Sequence, residues 1–233
     1  MAARTYGQYG GVAAAVELIG ERWALLIVRD LLVGPRRYTD LKAGLPRIPT
    51  NILSARLKEL QEGGVVRRVP ILRCGLVYEL TEYGRELEPI VLGLARWGLR
   101  GLGEPGADDA YTADSLTIAL RAVFRPWAAD APLDAELRLG EVALRVQVDG
   151  ATLTVTQLAP PAPPVGGAVP AGRPDITITA GSGIRHLLAG KKDAAAALAA
   201  GDLAVTAGDP ALLERFAQLF RIEPDADDER RIA

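Results

Sequence analysis

At 233 residues the chain is long enough for one large domain or two ordinary ones, and its 49% apolar content suffices to form a hydrophobic core. No apolar run approaches the roughly 18 residues of a membrane span. The residues after Met1 lack the apolar stretch of a signal peptide, and a single cysteine excludes an internal disulfide. We therefore expect a cytoplasmic protein.

The net charge of -2 hides an uneven distribution of charge along the chain. Residues 1–105 carry 15 basic and 11 acidic side chains, whereas the remaining residues carry 12 and 18. Residues 36–73 alone hold nine basic side chains against three acidic ones. Such a positive segment in an acidic protein suggests a polyanionic partner, although an ordinary solvated surface could give the same count.

Composition and patterning divide the chain into two predicted domains. Residues 1–102 are rich in helical patterns, and residues 103–110 have the Gly, Pro and acidic composition of a linker. Residues 111–222 mix strand and helix patterns, and residues 223–233 are too polar to pack. We predict a mostly α N-terminal domain and an α+β C-terminal domain.

Helical periodicity and turn residues define the elements of the first domain. The segment from Trp23 to Val33 is apolar nearly all round, which is typical of a central buried helix. Glycine and proline end most of the other patterns. In chain order the prediction is a helix over 12–19, a helix over 23–33, a short helix capped by Thr39 that extends through Ala43, a helix over 49–61, strands over 65–69 and 76–80, and a long last helix capped by Thr81.

This order of elements, with a basic hairpin after an amphipathic helix, is typical of a winged helix-turn-helix. Leu53, Leu57 and Leu60 share the buried face of the helix over 49–61, so its polar face can enter a major groove, where Asn51 could pair with an adenine edge. Hairpin arginines would contact the minor groove or the phosphates, which supplies affinity without reading sequence. The predicted DNA-binding residues are Arg36, Arg37, Thr39, Arg47, Thr50, Asn51, Ser54, Ala55, Arg56, Lys58, Arg67, Arg68 and Arg73.

Five blocks within residues 6–100 resemble HxlR-type regulators in order and spacing. They are Tyr9 to Val12, Leu18 to Trp23, Leu31 to Leu41, Ile48 to Leu60 and Tyr78 to Gly84. The resemblance implies a homodimer joined through the first and last helices of the domain. It also implies a pseudo-palindromic double-stranded operator with half-sites about one helical turn apart.

One position departs from the HxlR pattern. Proteins of this type commonly carry a Cys-Pro pair before the first helix, where this chain has Gly10 and Gly11. Redox sensing by that route is therefore not expected. Cys74 lies in the predicted wing beside Arg73, whose charge could lower a thiol pKa, but a lone wing cysteine is more often inert.

The second domain begins with a helix and continues mainly as strands. The pair Asp149 and Gly150 is a strong hairpin signal between two strand patterns. The predicted elements are a helix over 114–124 capped by Asp114 or Ser115, strands over 135–139, 142–148, 151–158 and 175–179, helices over 184–188 and 193–199, a strand over 203–206 and a helix over 210–220.

Four segments, Pro174 to Ala180, Ile184 to Gly190, Asp193 to Leu203 and Gly208-Asp209, resemble the sterol-carrier-protein lipid-binding fold. The resemblance implies a mixed sheet with helices on one side, enclosing an apolar tunnel. The candidate ligand-binding residues are Leu116, Leu144, Val146, Leu153, Ile176, Ile178, Leu187 and Leu188. Each of these side chains could instead simply fill the core, because fold analogy locates sites only weakly.

Signs of catalysis are scarce. The single histidine, His186, has no second histidine or cysteine with which to bind a metal, and none of the common nucleophile, phosphate-binding or dinucleotide motifs occurs. We expect no enzyme, no metal and no cofactor. Three functions remain: a repressor that responds to a hydrophobic small molecule, a ligand-blind repressor whose C-terminal domain dimerises or stabilises it, and a lipid or polyketide carrier. The basic segment disfavours the carrier.

Overall fold

The fold was obtained as a computed structural model, which describes residues 5–71, 75–158 and 170–222. The chain forms two compact units, residues 1–91 and residues 92–233. The division falls inside a helix, Glu88–Arg100, whose C-terminal part belongs to the second unit. The predicted domain limits, with a linker at 103–110, therefore stay a prediction.

The first unit has the predicted order of helices and a two-stranded hairpin. Its core is built from leucine, isoleucine and valine side chains contributed by each of the three central helices, among them Ile27, Leu41 and Leu53, all fully buried. Its elements are α1 (Gly11–Ile19), α2 (Ala24–Val33), α3 (Tyr38–Gly44), α4 (Thr50–Glu62), β1 (Val66–Ile71), β2 (Gly75–Leu80), α5 (Glu82–Arg85) and the start of α6 (Glu88–Arg100). Strands β1 and β2 pair antiparallel, with Val66 opposite Leu80.

Two of the predicted N-caps in this unit are wrong. Helix α3 starts at Tyr38 with Arg37 as its cap residue, because the Asp40 carboxylate accepts a hydrogen bond from the Arg37 backbone N–H at 2.9 Å. Thr81 does act as a cap, accepting from Gly84 N at 3.0 Å, but it caps the short helix α5 and not the long α6. Pro89, which has no N–H to continue the helical ladder, lies in the first turn of α6.

In its described residues the second unit contains a five-stranded mixed sheet together with helices. The predicted mixed sheet with helices is thus confirmed. Its elements are the end of α6, α7 (Ala113–Val123), a 3-10 turn (Pro126–Ala128), β3 (Leu133–Leu139), β4 (Val142–Asp149), β5 (Thr152–Gln157), β6 (Ile176–Ala180), α8 (Ile184–Leu188), α9 (Ala194–Ala199), β7 (Leu203–Gly208) and α10 (Leu212–Leu219).

The strand order in the sheet is β5-β4-β3-β6-β7. The predicted meander β3-β4-β5 is antiparallel, β6 pairs parallel with β3, and β7 returns antiparallel along β6. Alternate residues of β3, β4 and β6 are buried and pack with helices α7, α8, α9 and α10 in one core that includes Phe216 and Phe220. The helices therefore cover one face of the sheet.

Two charged residues of this unit are buried, and one of them, Asp114, is not the helix cap that was predicted. Helix α7 is capped by Thr112, whose hydroxyl accepts from Ser115 N at 3.1 Å, whereas Asp114 is buried and accepts from Gln157 Nε2 at 2.6 Å. Arg145, on the polar face of β4, is only 4% exposed. The Asp134 carboxylate accepts hydrogen bonds from this guanidinium. This interaction raises the pKa of Arg145 by more than burial of the charged group lowers it.

Candidate nucleic-acid interface

Helix α4 presents one apolar and one polar face, as the sequence predicts. Leu53, Leu57 and Leu60 are at most 2% exposed and pack into the core of the first unit. Outside this buried face the helix carries an exposed polar row of Thr50, Asn51, Ser54 and Lys58. Because hydroxyl, amide and ammonium groups form hydrogen bonds with base edges and phosphates, this row has the chemistry that a groove-binding helix requires.

The phenol of Tyr38 holds the first turn of α4. Its Oη atom donates to the carbonyl oxygen of Thr50 at 2.9 Å and lies 3.2 Å from Ser54 Oγ. Lys42, one turn further along α3, donates from Nζ to the carbonyl oxygen of Ile48 at 2.8 Å. Two side chains of α3 thus fix the turn and the start of α4. The sequence analysis assigned neither side chain a role, since both contacts are made to backbone atoms.

A shallow concave surface lies beside the N-terminus of α4. Arg22, Trp23, Arg47 and Arg56 contribute to its wall together with Pro49. Trp23 has a left-handed backbone, with φ at 83°, and the Arg22 guanidinium lies over its ring at 5.3 Å from the centroid. Arg22 was missed by the sequence analysis, because it precedes α2 and comes near α4 only through this turn.

Three of the predicted DNA-binding side chains are less accessible than expected. Arg36 is 2% exposed. Its backbone N–H donates to the Tyr78 carbonyl oxygen at 3.0 Å and its carbonyl oxygen accepts from the Tyr78 N–H at 2.7 Å, so the residue is held against β2. The Arg56 side chain is 15% exposed and pairs with Glu59 and, at 3.2 Å, with Glu21. Ala55 is half-buried. Arg37, Thr39 and Arg47 are exposed, as expected.

On its described strands the hairpin carries the exposed side chains of Arg67 and Arg68. Arg67 pairs with Glu79 across the strands, with Nη2 2.6 Å from the carboxylate, and its side chain stays 59% exposed. The Arg68 guanidinium lies 5.5 Å from the centre of the Tyr78 ring. The hairpin tip, including Arg73 and Cys74, falls outside the described residues.

The eight candidate ligand-binding residues of the second unit do not come together around one space. Leu144, Val146, Ile176, Ile178 and Leu187 are at most 1% exposed and fill the core, and Leu153 packs against it. Leu116 and Leu188 are also buried, but they line a cavity of about 410 Å³ within this unit.

In the parts of the chain that the structure describes, no helix is long and apolar enough to cross a membrane. Across the same residues, no three His, Cys, Asp or Glu side chains lie where they could hold a metal ion together.

Comparison with known proteins places the first unit in a family. The profile of the HxlR-like helix-turn-helix family matches residues 18–104. The uncharacterized HTH-type transcriptional regulator YvaP of Bacillus subtilis is 40% identical over 85 residues, which are 36% of this chain and 79% of that protein. The HTH-type transcriptional regulator YodB of the same organism is 34% identical over 86 residues, 36% of this chain and 77% of that one.

Longer relatives and solved structures extend the comparison. The uncharacterized HTH-type transcriptional regulator Rv3095 of Mycobacterium tuberculosis is 43% identical over 96 residues, 40% of this chain, and the match spans 60% of that protein. The solved structure of the reduced form of YodB from B. subtilis is 31% identical, with a TM-score of 0.36, and covers 42% of this chain and 99% of that one. The matched relatives are HTH-type transcriptional regulators, and the chain belongs to the HxlR-like helix-turn-helix family.

Proposed function

We propose that the protein is a transcriptional repressor that binds a pseudo-palindromic operator as a homodimer and responds to a hydrophobic small molecule. The observation that carries the DNA-binding part is the exposed row of Thr50, Asn51, Ser54 and Lys58 on α4. This row lies on the helix that the winged helix-turn-helix places in the major groove. Repression is favoured because a compact dimer on its operator occludes polymerase.

Within this proposal the polar residues divide by role. Asn51, near the N-terminus of α4, reads bases, whereas Arg37, Arg47, Lys58 and the exposed Arg67 contact phosphates and supply salt-dependent affinity. Arg22, over the ring of Trp23, joins the phosphate contacts. Arg36, which is buried, is left out of the contact set.

The homodimer is supported by apolar side chains that the described chain leaves open to solvent. Val12 is 81% exposed on α1, and Ile90 and Trp97 are 49% and 77% exposed on α6. Monomeric proteins rarely leave such helix stripes uncovered. These are the first and last helices of the domain, through which the HxlR resemblance implies dimerisation.

For the second unit we propose an effector-binding role, as the resemblance to the sterol-carrier fold suggests. The 410 Å³ cavity, lined in part by the predicted residues Leu116 and Leu188, is its best-supported site. An effector changes operator affinity by binding the DNA-competent and DNA-incompetent states of the protein unequally.

Gel shift with the DNA upstream of the protein's own gene tests the proposal, with and without an apolar extract of cells. A low-salt shift that the extract abolishes or strengthens is the expected result. A shift that no extract alters would favour the ligand-blind repressor, and no shift even at low salt would reject DNA binding and leave the carrier. The salt dependence of the shift reports the number of phosphate contacts.

A further inference from the structure

The cavity in the second unit is mainly apolar but contains one buried cation. Leu102, Tyr111, Leu116 and Ile184 form part of its wall, and its volume of about 410 Å³ falls in the range of small-molecule sites. Arg185, the first-turn residue of α8, lines the same space, and its side chain is only 8% exposed. A ligand in this cavity therefore meets both an apolar wall and a guanidinium.

The guanidinium of Arg185 uses only part of its hydrogen-bonding capacity. Nη1 donates to the carbonyl oxygen of Ser182 at 2.8 Å, and Nη2 is paired with the carboxylate of Glu104. The buried Nε finds no acceptor among the residues that the structure describes. A guanidinium out of contact with water needs a counter-charge, because burying an unpaired ion is strongly unfavourable.

The carboxylate that now supplies this counter-charge is held loosely. The side chain of Glu104 is 75% exposed, and every residue from 101 to 110 is exposed. An exposed carboxylate loses little when it leaves an ion pair, since water solvates it well. Arg185 must keep an anionic partner, whereas Glu104 can be released. Another carboxylate can therefore replace that of Glu104 on the Arg185 guanidinium.

We infer that the cavity binds an amphipathic monocarboxylate, whose carboxylate replaces that of Glu104 on Arg185 and whose apolar part fills the cavity. The exchange conserves charge, because one carboxylate leaves the guanidinium as another arrives. The Nε–H and Nη2–H groups of Arg185 lie side by side, so the two oxygens of the ligand carboxylate can accept one hydrogen bond from each. The inference rests on the proposed function, because it names the chemical class of the effector proposed for this cavity.

The wall of the cavity also favours a single negative charge. Asp109 lines it and already accepts a hydrogen bond from Gly106 N at 2.8 Å. A second anionic group on the ligand would approach this carboxylate. Glu104 and Asp109 both belong to the segment that follows α6, so release of Glu104 loosens the chain directly after that helix.

Isothermal titration calorimetry on the full chain tests the inference with decanoate below its critical micelle concentration and decanol below its solubility limit. At about pH 8 decanoic acid is ionised, so the two probes share their apolar chain and differ in charge. We expect decanoate to bind at least about tenfold more tightly, which is the effect of one charged hydrogen-bonding group. Glu104→Gln, which removes the internal competitor, should tighten decanoate binding further and leave decanol binding unchanged.

The control is Glu141→Gln, which removes an exposed carboxylate from the turn between β3 and β4 and should change neither affinity. A gain in affinity cannot come from misfolding, so Glu104→Gln stays informative even if changes at Arg185 unfold the protein. Equal affinity for the two probes, no decanoate binding, or no effect of Glu104→Gln would overturn the inference. Operator binding is measured by gel shift on the same samples without any probe, which tests the repressor separately. If the protein still binds its operator but does not bind decanoate, the proposed ligand class is rejected and the proposed repressor is not.

Discussion

The phenolic oxygen of Tyr38 donates a hydrogen bond to the carbonyl oxygen of Thr50, 2.9 Å away, and so joins α3 to the first turn of the proposed recognition helix. Tyr38→Phe removes this bond and keeps the ring. We expect the free energy of unfolding to fall by about 1 kcal/mol and operator affinity to fall for all sequences alike, because the start of α4 is less well fixed. Chemical denaturation and fluorescence anisotropy measure the two effects. Tyr83→Phe, which changes an exposed tyrosine on α5, is the matched control.

Replacing Asn51 and Arg67 separately should distinguish the contribution of base contacts to operator binding from that of phosphate contacts. Asn51→Ala should cost roughly 1–3 kcal/mol of discrimination between the operator and operators altered at one base pair. Arg67→Ala should weaken binding to all sequences similarly and reduce the salt slope by about 1, even though part of its charge is already engaged by Glu79. If both variants bind like the parent, the proposed docking of α4 and the hairpin is wrong.

Gly84 should be the least replaceable glycine of the first unit. A Cβ atom on Gly84 would overlap the carbonyl oxygen of Val65 and would approach Leu80 Cδ2 to 3.2 Å. Gly84→Ala should therefore lower the free energy of unfolding by roughly 1–3 kcal/mol, the usual cost of overpacking. Gly11→Ala, at the start of α1, where a Cβ meets nothing within 4 Å, should change it little. Equal stability of the two variants would contradict this account.

The exposed Val12 on α1 predicts which substitution should convert the proposed dimer into a monomer. Val12→Asp places a charge in the proposed interface, whereas the carboxylate itself suits the first turn of a helix. Sedimentation velocity should show a dimer for the parent and a monomer for this variant. Ala14→Asp, about 200° around the same helix and also exposed, should remain a dimer. A dimer that survives Val12→Asp would place its interface elsewhere.

The sequence predicted elements better than it predicted how their side chains are used. Helical and strand periodicities located α4 and the mixed sheet because each carries a buried apolar face over several turns or pleats. The burial of Arg36 had no local signal, since it depends on a backbone bridge to Tyr78, 42 residues further on. Arg185 appeared in the sequence as an ordinary helical arginine. Its pairing with Glu104 joins segments 81 residues apart in the chain, which periodicity cannot detect.

Asp202 should make the stability of the second unit depend on pH in acid. Its carboxylate accepts from Lys192 Nζ at 2.7 Å and lies 3.5 Å from His186 Nδ1, and these contacts, that with Lys192 above all, lower the pKa of Asp202. A carboxyl group whose pKa is lower in the folded state stabilises the fold at pH values above its unfolded pKa of about 3.9. That contribution is lost as the pH falls through the lower pKa of the folded state.

Asp202→Asn should therefore reduce the free energy of unfolding near neutral pH, and the reduction should shrink as the pH falls below the unfolded pKa of about 3.9 toward the lower pKa of the folded state. Urea denaturation of parent and variant at several pH values measures the difference. Asp149→Asn, at the exposed C-terminal end of β4, is the control and should show a small difference at every pH. A deficit for Asp202→Asn that stays constant into acid would mean that the asparagine disturbs the local packing, and that the ion pair with Lys192 contributes nothing.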